Sequence, residues 1–151
     1  MTANSSPRDP DPQRLITEVP ADDAAYRLAL TATALERTVT AEWTFRSARA
    51  AGDTALPLST VRFAPRPGSI DVTVQSQDSG KGGAVRRLTV KTSADGGRTW
   101  QPATVRPMSG GRWTAVVNTP PANGTWMALR STLARADGGT ATQTLLHAYR
   151  S

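Results

Sequence analysis

From residue 56 to residue 151 apolar and polar side chains alternate in short runs, seven to ten residues long. The runs fall at 58–64, 69–77, 85–93, 99–106, 112–118, 125–134 and 140–149. Period-two alternation marks a strand with one wet face and one buried face. In 85–93 it turns Leu88 and Val90 inward and Arg87, Thr89 and Lys91 outward; in 112–118 it turns Trp113, Ala115 and Val117 inward. Turn-forming residues separate the runs, at 65–68, 79–83, 95–97, 109–111, 123–124 and 137–139. Short strands punctuated by Gly, Asp and Asn turns predict an all-β, antiparallel sandwich. The count of seven is that of an immunoglobulin or fibronectin type III domain.

Two more strands are predicted upstream, at 26–33 and 39–47, and the second places Trp43 and Phe45 on one face. An isolated hairpin is marginal in water. This N-terminal β-hairpin, within 21–55, is therefore expected to pair with the sandwich of 56–151 or to belong to an upstream β domain. Residues 1–20 are rich in Pro, Asp and Ser and are expected to be a disordered or extended lead-in.

Composition sharpens this picture. The chain has 21 Thr, 12 Gly and 11 Pro among 151 residues, which favours strands and turns over long helices. Cysteine is absent, which removes disulfides, thiolate metal sites and a Cys nucleophile. Charge is uneven: residues 1–75 carry 8 basic and 9 acidic side chains, residues 76–151 carry 10 and 3. That excess suggests a basic binding face drawn from Arg86, Arg87, Lys91, Arg98, Arg106 and Arg112, suited to an anionic polymer or cell-wall glycan. Sixteen of the 18 basic residues are Arg beside 23 Ala, a GC-rich usage that supplies Arg for reasons unrelated to binding, and nucleic acid is not expected as a partner. No run approaches the roughly 18 apolar residues of a membrane helix. The N-terminus lacks an apolar h-region, so no signal peptide is expected in this chain.

The chemistry of catalysis is thin. His147 is the single histidine and falls inside a predicted strand. No Gly-x-Ser-x-Gly elbow and no phosphate loop occur. Paired carboxylates are not suggested either, since Asp78, Asp95 and Asp137 all fall in Gly-rich turns. No cofactor and no metal site are expected.

One motif is specific. Ser93-Ala94-Asp95-Gly96-Gly97-Arg98-Thr99-Trp100 fits Ser-x-Asp-x-Gly-x-Thr-Trp at every fixed position. It resembles the Asp box, a hairpin turn seen in sialidase propellers. A propeller repeats it at a fixed period, and this chain has one copy. Ser93, Asp95, Gly96, Gly97, Thr99 and Trp100 are thus expected to form a structural turn between strands 85–93 and 99–106. Asp95 would accept backbone N–H groups and Trp100 would be a buried ring.

A longer succession carries a second resemblance. It runs Tyr26-Arg27-Leu28-Ala29-Leu30, Glu42-Trp43-Thr44-Phe45-Arg46-Ser47, Leu56-Pro57-Leu58, the Asp95 turn, Gly111-Arg112-Trp113-Thr114-Ala115 and Thr142-Gln143-Thr144, ending in Ala148-Tyr149. This order resembles the C-terminal, non-catalytic β region of secreted subtilisin-like serine proteases of actinobacteria. The family's catalytic Asp, His and Ser segments have no counterpart here, so no catalytic residue carries over. The resemblance implies a non-enzymatic accessory module, extracellular when attached to a secreted parent, with the protease's catalytic domain as partner. The alternative is a free-standing binding module for an anionic polymer or glycan.

Overall fold

The computed structural model describes residues 20–52, 54–77 and 83–151, so the lead-in expected over 1–20 lies, apart from Pro20, outside the described residues, as do Asp78 and most of the turn at 79–83. Ten strands and no helix make up the described residues. They are β1 (Ala24–Ala34), β2 (Arg37–Ser47), β3 (Ser59–Arg66), β4 (Ser69–Ser76) and β5 (Val85–Ser93), then β6 (Gln101–Pro102), β7 (Thr104–Pro107), β8 (Arg112–Val116), β9 (Trp126–Arg135) and β10 (Thr140–Arg150). All pair antiparallel, in a six-stranded sheet ordered β1-β2-β10-β9-β5-β6 and a four-stranded sheet ordered β3-β4-β8-β7.

Turn chemistry sets the hairpins. Pro67 and Gly68 close β3 onto β4 in a two-residue loop, with Gly68 at φ +73°, a value that suits a residue lacking Cβ. The β1–β2 loop is different. Leu35 (φ 47°) and Glu36 (φ 66°) occupy the left-handed region without being Gly or Asn. Positive φ at both central residues is the backbone of a type I′ turn, whose twist matches that of the flanking strands.

The hairpin joins the larger sheet through β2, which pairs with β10 from Thr44↔Thr140 to Leu146↔Thr38. Its Trp43 and Phe45 enter an apolar cluster with Ala41, Leu58, Leu133 and Ala141. The Trp43 indole N–H donates to the Ser59 carbonyl at 2.7 Å, bonding the hairpin to β3 of the opposite sheet. A second cluster of Val61, Ile70, Val72, Val90, Ala115 and Leu129 fills the space between the two sheets. Buried Arg135 bolts the seam: its guanidinium donates to the Pro57 carbonyl (3.1 Å) and Ser59 Oγ (2.9 Å) and faces Asp137 (3.3 Å).

The strand expected over 99–106 is broken. Only Gln101 and Pro102 pair with β5; the Ala103 N–H donates to the Val90 carbonyl at 2.9 Å, and Thr104 then pairs with Val116 in the other sheet. The last bond to β5 is that of Ala103, after which Thr104 joins β8 and the chain crosses between sheets; Pro102 has no N–H and turns its nitrogen to the open edge, where the ladder does not need one. The hairpin expected between 85–93 and 99–106 is thus two residue pairs long.

Candidate functional site

The Ser93–Trp100 turn is wired by side chains. Asp95 accepts from the Thr99 hydroxyl (2.6 Å) and from the backbone N–H groups of Arg98 (3.0 Å) and Thr99 (2.9 Å). Ser93 Oγ donates to Asp95 (2.7 Å) and accepts from the Gly97 N–H (2.9 Å). These donors, the Thr99 hydroxyl first, then the Thr99 N–H and the Ser93 hydroxyl, hold the Asp95 carboxyl well below the usual carboxylate range. Gly97, at φ +90°, lies against the Trp100 ring and Leu146; a Cβ there would sit 3.2 Å from each.

Trp100 departs from its expected burial. It is half-buried and belongs to neither core cluster. The Arg130 guanidinium stacks over its ring at 4.2 Å and donates to Thr144 Oγ1 at 3.1 Å. Alternation along β9 puts Leu129, Ser131 and Leu133 inward and Trp126, Arg130 and Thr132 outward. Trp100 therefore packs on the outer face of the larger sheet. At one end of that face Arg150 lies over Trp126 at 4.7 Å, and His147 lies beside the same ring at 5.6 Å between centroids. His147 sits in a β10 bulge, at φ 53°, with Nδ1 2.8 Å from the Glu36 carbonyl.

Register then distributes the six residues expected to form one basic face. Lys91 pairs with Arg130 and Arg87 with Ala134, so both point from the outer face of the larger sheet. Arg106 is paired with Thr114 and Arg112 with Thr73, on the outer face of the smaller sheet. Arg98 lies in the Asp95 turn, and Arg86 at the irregularity where β5 begins. The set is split across two opposite faces, because neighbours along the chain after Ala103 belong to the other sheet. The larger sheet recruits Arg130 and Arg150 in their place. Between β5 and the crossing chain lies a groove of about 700 Å³, lined by Leu88, Val90, Ala103 and Val105 with Arg87 and Lys91 on its rim.

No three His, Asp or Glu side chains gather into a metal-binding group among the described residues, and no helix there is long and apolar enough to cross a membrane. The Trp126–Arg150 stack was hidden from sequence reasoning, because its partners lie 24 residues apart and meet only through the β9–β10 register. No protein-family model, curated protein or solved structure matches the chain.

Proposed function

We propose that the chain is a non-catalytic accessory β-sandwich module of the immunoglobulin or fibronectin type III kind, acting by surface contact as part of a secreted subtilisin-like serine protease. The order β3-β4-β8-β7 facing β5-β9-β10 supports the fold half of this reading, since it repeats the ABED and CFG sheets of a constant-type immunoglobulin domain. Fold alone does not assign function. The observation that carries the non-catalytic half is the setting of His147. A base for a Ser or Thr nucleophile must reach that hydroxyl. Among the described residues no Ser or Thr hydroxyl is hydrogen-bonded to the His147 ring: its Nδ1 meets the Glu36 carbonyl, and the ring lies beside Trp126. Casein and a fluorophosphonate probe test this: both should be recovered unchanged after incubation, and covalent labelling of one serine overturns the reading.

A second reading, contact with an anionic polymer or cell-wall glycan, is favoured by the outer face of the larger sheet. Arg87 and Lys91 there have no carboxylate partner among the described residues, and Arg130 and Arg150 lie over Trp100 and Trp126. Such binding weakens as salt screens it. Retention on a polyanionic glycan that falls with added salt and is lost in Arg87→Ala/Lys91→Ala supports this contact; retention insensitive to both removes it.

A further inference from the structure

Three of the four sheet edges are guarded. β6 is two residues long and ends in Pro102, leaving β5 to present Arg87, Lys91 and an irregular start. β7 is four residues long and ends in Pro107, and β3 carries Arg62, Pro65 and Arg66. Charges, prolines and bulges of this kind keep edges from pairing with other chains. β1 has neither proline nor bulge and no unpaired charge. Its 11 residues, Ala-Ala-Tyr-Arg-Leu-Ala-Leu-Thr-Ala-Thr-Ala, contain no proline and one charge, Arg27, which is paired with Glu42 on the same sheet. Its ladder to β2 is continuous from Ala24↔Ser47 to Ala34↔Arg37. Among the described residues, two of the three exposed large apolar side chains lie on β1 and its turn, Leu30 (55%) and Leu35 (95%).

The turn fixes which backbone groups are open. In a two-residue I′ hairpin the closing pair, here Ala34↔Arg37, exchanges both hydrogen bonds, and bonded pairs then alternate along the ladder. The even residues of β1 therefore bond β2. Ala25, Arg27, Ala29, Thr31 and Thr33 turn their N–H and C=O groups to the free edge. We propose that this edge is where two copies of the chain meet, β1 pairing antiparallel with β1 of the second copy about a two-fold axis at Ala29.

Self-pairing fits this strand in particular. Ala29 is the midpoint of Ala24–Ala34, so an axis there matches the whole strand with itself. Every open N–H of one copy meets an open C=O of the other. On the inner side Leu28 faces Leu30 of the second copy and Tyr26 faces Ala32, which extends the apolar face across the axis. On the outer side Arg27 faces Thr31, so the charges avoid each other; moving the axis by two residues to Arg27 sets them directly opposed, a destabilising pairing.

Analytical ultracentrifugation of the full chain tests the proposal. A concentration-dependent dimer is expected. Ala29→Pro removes an N–H that points away from β2, so the far-UV spectrum should be kept while the dimer weakens by on the order of tenfold or more. Thr31 reads the register independently: Thr31→Glu, opposite Arg27, should tighten the dimer, and Thr31→Arg should loosen it, both effects shrinking with salt. In this Cys-free chain Ala29→Cys should also crosslink to itself on mild oxidation, since a hydrogen-bonded antiparallel pair sets Cα atoms about 5.5 Å apart, within disulfide range, whereas Thr33→Cys should not. A monomer at every concentration overturns the proposal and leaves the edge to another occupant, the chain's own leading segment or a strand of a different protein. A dimer indifferent to Ala29→Pro and to both Thr31 changes overturns it equally.

Discussion

Removing the Trp43 ring tests whether the N-terminal hairpin and the sandwich share one core. Trp43 is 8% exposed, packs among Ala41, Phe45, Leu58, Leu133 and Ala141, and donates its indole N–H to the Ser59 carbonyl across the sheets. Trp43→Phe keeps an aromatic ring but deletes the bond, a loss of about 1–2 kcal/mol, and the smaller ring adds about 1 kcal/mol of lost packing. Trp43→Ala deletes the ring as well, and a large-to-small change of that kind costs about 3–5 kcal/mol before the bond is counted. Against a total stability of about 5–15 kcal/mol, the alanine variant should be close to unfolding at 37 °C. Urea denaturation followed by far-UV circular dichroism is the assay, because fluorescence changes with the ring itself. With a slope of about 1.5–2 kcal/mol/M, Trp43→Phe should lower the midpoint by about 1–2 M. A Trp43→Ala midpoint within about 0.3 M of the parent would refute the reasoning, since the hairpin would then lie outside the cooperative core.

Other perturbations separate the surface from the core. Trp100→Ala should cost only about 1–2 kcal/mol, because it removes a half-buried ring and its stack with half-buried Arg130, and the same urea series measures it. Asp95 has a lowered carboxyl pKa, so its contribution is present above the ordinary carboxylate value near pH 4 and is lost as pH falls from there toward the folded value. The melting temperature of Asp95→Asn should accordingly lie below the parent near neutrality and converge with it as the solution is acidified; a gap that widens in acid contradicts this wiring.

Much of the fold was legible in the alternation itself. Expected strands 69–77, 85–93, 125–134 and 140–149 match β4, β5, β9 and β10 to within a residue at either end, because a turn signal stands just before each of them. The turn at 93–100 was legible for another reason: its bonds link Ser93, Asp95, Gly97 and Thr99, all within a few residues of one another. Pairing across sheets was not legible. Gln101-Pro102 carried the signal for a broken strand, but which sheet Thr104 would join depends on β8, a partner that alternation cannot name. The same ignorance merged Arg87 and Arg106 into one surface. Arg135 shows the limit most plainly: a charged side chain in a strand reads as solvated, and partners far away in sequence, such as the Pro57 carbonyl 78 residues earlier and Ser59 Oγ, explain its burial.

The pairing of Thr44 with Thr140 has a consequence for the order in which the protein is made. A ribosome delivers β1 and β2 long before β10, at about 5–20 residues per second. For several seconds the hairpin has no strand to lie against, and Trp43 and Phe45 have neither Leu133 nor Ala141 to cover them. Closing a loop this long is entropically slow compared with the local hairpins β3–β4 and β9–β10. The β1–β2 hairpin, made before the other eight strands, is therefore among the last of them to be fully paired. Until β10 arrives, its apolar face stays open to other chains and to chaperones.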